Sequence, residues 1–99
     1  MITLKQETSD LIRNEMESIP DKYHKPFNSM HEGLAVLREE YIELEAQIFF
    51  GEKIAKSEVE NDSDPEYRKS ESLRRYRERV REEAIQVAAM AARIIQELT

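Results

Sequence analysis

Two glutamates three residues apart, Glu40 and Glu43, and a third far along the chain, Glu83, are the side chains best able to do chemistry. On a helix, residues three apart point the same way. Glu40 and Glu43 share a line with Val36 and Gln47, beside the apolar series Leu37, Tyr41 and Leu44. Glu83 stands out for another reason. Leu73, Tyr76, Val80, Glu83, Val87, Met90 and Ile94 recur at alternating steps of three and four, which is one stripe of a helix. Glu83 is the charged member of a stripe that should face a core. A carboxylate there loses hydration, at a cost that pairing, protonation or a bound metal must offset. If the helices carrying these residues pack together, three carboxylates meet in a poorly hydrated site and repel. A hard divalent cation resolves this. Mg²⁺ takes oxygen ligands while keeping some water and substrate phosphate, so it can bridge an acidic protein to a triphosphate and polarise the phosphorus under attack. The plainer readings are that E-x-x-E marks a solvated face, and that Arg79, one turn before Glu83, simply pairs with it.

Cations able to grip phosphate are also at hand. Arg68, Lys69, Arg74, Arg75, Arg77, Arg79 and Arg81 form a basic run, with Lys53 and Lys56 upstream of it. Lys53 and Arg79 are the candidate substrate contacts. Glu71, Glu78, Glu82 and Glu83 interleave with the run, so most of it also reads as a salt-bridged solvent face, for example Glu71 with Arg75 and Arg74 with Glu78. His24 and His31 have no partner at metal-ligand spacing, and the two glycines, Gly33 and Gly51, form no phosphate-binding loop. The absence of cysteine excludes disulfides, thiolate zinc sites and a cysteine nucleophile.

The elements that must position these groups are helices. The chain has 99 residues, two glycines and three prolines, and 36% of it is charged, a composition that favours one all-α domain. Thr3–Gln6 has capping-box form and opens a first helix within residues 1–20, from about 4 to 18. Leu4, Thr8, Leu11, Ile12 and Ile19 lie roughly on one face, a thin apolar stripe. Residues 19–28 hold two prolines and form a loop that Tyr23 and Phe27 pin to the body. Ser29–Glu32 is a second capping box and opens a helix over 29–50 whose core stripe is Leu34, Leu37, Tyr41, Leu44 and Ile48. Gly51 suits its C-cap, and Phe49 and Phe50 read as a hydrophobic plug or subunit contact. Residues 51–63 read as a polar linker, with an added helical turn possible around Lys53 to Val59. Asp64 and Pro65 then begin a last helix over 64–98, antiparallel to the second. Met90 among Ala88, Ala89, Ala91 and Ala92 reads as close packing at an oligomer seam.

The expected architecture is thus an antiparallel bundle of three to four helices that pairs into a homodimer or homotetramer. The net charge of −6 disfavours nucleic acid as a partner. No run is long enough for a membrane span, and the N-terminus lacks a signal peptide's apolar core; both point to the cytoplasm.

HEGLAVLREEYIELEAQIF, followed by REEAIQVAAMAARII, resembles the MazG-like branch of the all-α nucleoside triphosphate pyrophosphohydrolases over about residues 22 to 98. Those enzymes carry E-x-x-E on one helix and E-x-x-D on a later one. The resemblance implies Mg²⁺-dependent cleavage between the α and β phosphates, giving a nucleoside monophosphate and pyrophosphate. Glu40 and Glu43 match the first motif and Glu83 begins the second, but Gln86 stands where the family's last aspartate would be. The implied metal set is therefore Glu40, Glu43, Glu83 and Gln86, with the three glutamates catalytic. An amide oxygen can coordinate Mg²⁺ but carries no charge and is no base at neutral pH. The alternative is a catalytically inactive module of the same fold that acts by oligomerising or by binding a partner or nucleotide. A plain coiled-coil segment, resting on the Leu34–Ile48 heptad spacing, leaves Glu83 unexplained.

Overall fold

The computed structural model describes residues 3–18, 26–60 and 63–99, the side chains at 65, 67 and 68 excepted. These residues form three helices and, among them, no strand: α1 (Gln6–Glu17), α2 (Met30–Glu60) and α3 (Pro65–Leu98). Local chemistry sets their starts. α3 opens on Pro65, whose missing N–H costs nothing in a first turn. α2 opens after Ser29, whose Oγ accepts the Glu32 N–H at 3.2 Å. The return half of that capping box is not made, because the Glu32 carboxylate accepts from Asn28 Nδ2 at 2.9 Å. α1 lacks the box expected from Thr3. Lys5 precedes the helix without a side-chain cap, and the Gln6 amide donates to Asp10 Oδ1 at 2.8 Å instead.

α2 and α3 form an antiparallel hairpin. Gly33, early in α2, faces Ile94 and Leu98, late in α3; Gly51 faces Tyr76; Ser72 Oγ donates to Glu58 at 2.9 Å. The expected linker over 51–63 is corrected: α2 runs unbroken through Gly51 to Glu60. Gly51 is not a C-cap, since no described glycine has a positive φ. It is buried, and a Cβ there would stand 3.2 Å from Tyr76 Cδ2. Its bare backbone admits the Tyr76 ring, whose hydroxyl donates to the Ile48 carbonyl at 3.0 Å. That contact offsets the cost of about 1 kcal/mol for a glycine inside a helix.

The face that α2 turns inward is also not the expected one. Contacts to α3 run through Gly33, Glu40, Gly51 and Glu58, which lie along one line of the helix. Of the expected core stripe, Leu34, Tyr41 and Ile48 are exposed, and Leu37 and Leu44 are half-buried. Glycine at 33 and 51 explains the choice, since it permits an approach that large side chains would block. Phe49 and Phe50, expected as a plug or subunit contact, are both exposed.

The core that results is small. Phe27, Ala89 and Met90 are its buried apolar residues among those described, joined by Ser72 and Arg93. Ala89 and Met90, expected at an oligomer seam, are covered by the chain itself. Phe27 does pin its loop. Its ring centroid lies 4.1 Å from Arg93 Cζ, and its N–H donates to Glu97 Oε1 at 2.9 Å. Arg93 Nε donates to Glu97 Oε2 at 2.8 Å, closing the latch. Ile19, Tyr23 and His24 lie outside the described residues. α1 packs on α3 and not on α2, with Arg81 and Glu7 paired at 3.2 Å. Among the described residues no helix is long and apolar enough to cross a membrane.

Candidate metal centre

The antiparallel register of the hairpin brings Glu40 and Glu43 of α2 opposite Glu83 of α3. Each offers a carboxylate oxygen within 4.8 Å of those of the other two. Glu40 and Glu83 are half-buried and Glu43 is exposed, so the cluster sits at the rim of the helix–helix seam. Glu83 reaches this position because the stripe it belongs to is the one that packs on α2. Glu40 reaches it because it lies on the Gly33–Gly51 line of closest approach.

No cation among the described residues neutralises these groups. Among the described residues, none of the three carboxylates is ion-paired to lysine or arginine. Arg79 does not pair with Glu83, although it lies one turn away and is half-buried. The consequence is electrostatic. The Glu40 carboxyl is held above its ordinary 4.5, first by burial and then by the charges of Glu43, Glu83 and Glu15. Glu83 is raised likewise, first by burial, then by Glu43 through charge and a hydrogen bond, and by the charges of Glu82 and Glu15. Both shifts mark an excess of negative charge in partly dry surroundings.

Gln86 joins the cluster, but not in the role its position implied. In the amide orientation that satisfies the network, Nε2 donates to Glu40 Oε2 at 2.9 Å and to Glu83 Oε2 at 3.2 Å. It acts as a neutral donor holding two like charges together. To serve as a ligand, the amide would have to turn its oxygen inward. Lys53 is not brought to the site. It stands ten residues along α2 from Glu43, about 15 Å by helical rise, with its ammonium 6.0 Å from the Phe50 ring centroid.

Glu15 is the neighbour that the sequence reading missed. It belongs to α1, yet its charge acts on both Glu40 and Glu83. The available signal was its spacing, three residues after Ile12 and four after Leu11, which puts it on the face α1 lays against α3.

The residues fit a hard cation. Mg²⁺ holds oxygens at 2.0–2.1 Å, so two ligands on one ion lie about 3–4 Å apart, and the observed separations need only modest side-chain movement to match. Two ligands half-buried and one exposed also leave a solvent side open to water and phosphate. Comparison with protein-family models, with curated proteins and with solved structures matches none of them.

Proposed function

We propose that this chain is a Mg²⁺-dependent nucleoside triphosphate pyrophosphohydrolase of MazG-like fold. The observation that carries the proposal is the convergence of Glu40, Glu43 and Glu83 within 4.8 Å with, among the described residues, no cationic side chain paired to them. In this reading Glu40, Glu43 and Glu83 would hold the ion, which would supply charge neutralisation and Lewis acidity toward phosphate and water. The protein's own part is positional. The antiparallel hairpin fixes two carboxylates on α2 and one on α3, and Gln86 limits how far Glu40 and Glu83 can swing apart. Water attacks the α-phosphorus while the bond from that phosphorus to the bridging oxygen breaks. Pyrophosphate leaves with the bridging oxygen and its electron pair, and the water's proton passes to a carboxylate of the cluster. Arg79 is retained as a phosphate contact because it stands one turn from Glu83; Lys53 is not.

The test is release of pyrophosphate from a panel of ordinary and modified nucleoside triphosphates with Mg²⁺. The expected result is turnover of at least one of them, reduced by about a hundredfold or more in Glu40→Ala. Absence of turnover across the panel overturns the enzymatic reading.

One observation favours a second reading, an inactive helical module of the same fold. Gln86 already supplies the cluster with a donor, which lets the carboxylates coexist without metal. Gln86→Glu separates the two. In the enzyme it adds a charged ligand, so the rise in melting temperature on adding Mg²⁺ should grow. In the inactive module, the wild type and the variant should both ignore Mg²⁺.

A further inference from the structure

The exposed face of α2 poses a problem that the chain does not solve alone. Leu34 and Tyr41 are 53% and 55% exposed, Ile42 and Phe49 are 56% and 61%, and Ile48 joins them at 37%. On the helix these five form one broad apolar band beside the inward line, about 22 Å long from Leu34 to Phe49. Two charges of opposite sign, Arg38 and Glu45, lie inside the band, and both are exposed. Neither can find an ion pair on its own helix. The neighbours of Arg38 at three and four residues are Leu34, Ala35, Tyr41 and Ile42; those of Glu45 are Tyr41, Ile42, Ile48 and Phe49. Among the described residues neither is salt-bridged. α3 is the contrast, since its Arg74 pairs with both Glu71 and Glu78 and its Arg75 pairs with Glu71.

The pattern is nearly symmetric about its centre. Leu34 and Ile48 stand seven residues either side of Tyr41, and Arg38 and Glu45 fall at equal distances from the point between Tyr41 and Ile42. A partner with a purely apolar face would bury two charges unpaired, at the cost of their hydration. A second copy, laid antiparallel across a two-fold axis at that point, pairs them. We infer that α2 is the dimer interface of this protein, with Arg38 against Glu45 of the partner subunit twice over and the Leu34, Tyr41, Ile42, Ile48 and Phe49 band closed on its equal. Isologous contacts of this kind are self-complementary by construction. The intrachain core also calls for such a partner: among the described residues three apolar side chains are buried, which is few for a chain of this length. The inference does not rest on the nucleotide reading, because neither Arg38 nor Glu45 belongs to the carboxylate cluster and the dimer is compatible with an active or an inactive site.

The experiment is a charge-reversal cycle, Arg38→Glu, Glu45→Arg and the double variant, followed by sedimentation equilibrium. The wild type should be a dimer. Each single reversal sets like charges face to face and should raise the dimer dissociation constant by at least about tenfold; the double variant should restore it to within a few-fold. High salt should weaken the wild type and relieve the single variants. A monomeric wild type overturns the inference, as does a dimer indifferent to the single reversals, or a double variant no better than its parents. Helicity is checked by circular dichroism. If a reversal unfolds the chain, Arg38→Gln and Glu45→Gln replace it; each should weaken the dimer by a smaller factor, and unchanged association in both overturns the inference equally. Pyrophosphate release, measured separately, can fail without touching this result.

Discussion

Glu40 and Glu83 are held above the ordinary carboxylate value by burial and by one another's neighbours, and this has a consequence for stability that can be signed. A folded state whose carboxyls have raised pKa values binds protons more tightly than the unfolded chain does. Their contribution favours folding at and below 4.5, and it is lost as pH rises through the raised values. Glu71 works the opposite way, since hydrogen bonds and charge from Arg74 and Arg75 hold it low, and its contribution fades on acidification. The raised pair is isolated by comparison. In chelator and at fixed ionic strength, acidifying from neutral toward about pH 5 should favour the wild type over Glu83→Gln, which replaces one of the raised groups by an amide. Parallel pH–melting curves for the two would show that the cluster carries no such strain. The three glutamates were legible in the sequence because a spacing of three and a break in an apolar stripe are both visible there. The amide orientation of Gln86 was not, and for Glu15 only its face on α1 was, not its approach to the cluster. The first depends on which acceptors surround it, and the second on how α1 lies across α3.

At the scale of elements, glycine decides which faces meet. Capping at Ser29 and the proline at 65 are strong local signals, and α2 and α3 start beside them; hydrophobic periodicity is the weaker guide. It misjudged the end of α2 and its inward face for one shared reason. Gly51 has the form of a helix stop, yet it serves as the seat of the Tyr76 ring, and a sequence does not state which ring will come to rest on a glycine. The same holds at Gly33, where a Cβ would meet Ile94 Cγ1 at 3.0 Å. The next residues, EKIAKSEVE, are then able helix formers, tied by Glu52 and Lys56 at 3.3 Å and by Glu58 to Ser72. This argument predicts the response to Gly51→Leu. Leucine is the better helix former by most of 1 kcal/mol, so a stop or a linker at this point would be stabilised or left unchanged. A seat for Tyr76 would be overpacked, its hydroxyl pulled from Ile48, and the protein destabilised by about 1–3 kcal/mol. Urea unfolding at constant protein concentration measures the difference, and a gain in stability would return Gly51 to the role of a helix end.

The whole molecule is extended for its length. Its extents are 52 × 31 × 27 Å and its Cα radius of gyration is 16.9 Å, against about 13 Å for a compact domain of 100 residues. Helices of 31 and 34 residues set the long axis, and α1 covers only part of α3, so little of the apolar surface can be enclosed by one copy. Folding and association should therefore be linked. If the monomer were self-sufficient, its melting temperature would not depend on concentration. If a second copy completes the core, each tenfold rise in concentration stabilises the folded dimer by mass action, and a hundredfold rise should lift the melting point by on the order of 5 °C. The low-concentration limit is the informative one. There, Arg38→Glu and the wild type should converge, because both are then dissociated, whereas at high concentration the wild type alone should climb. A melting point independent of concentration in the wild type would mean that Phe27, Ala89, Met90 and the Arg93–Glu97 latch suffice to hold the hairpin closed, and that the apolar band on α2 contributes nothing to the fold.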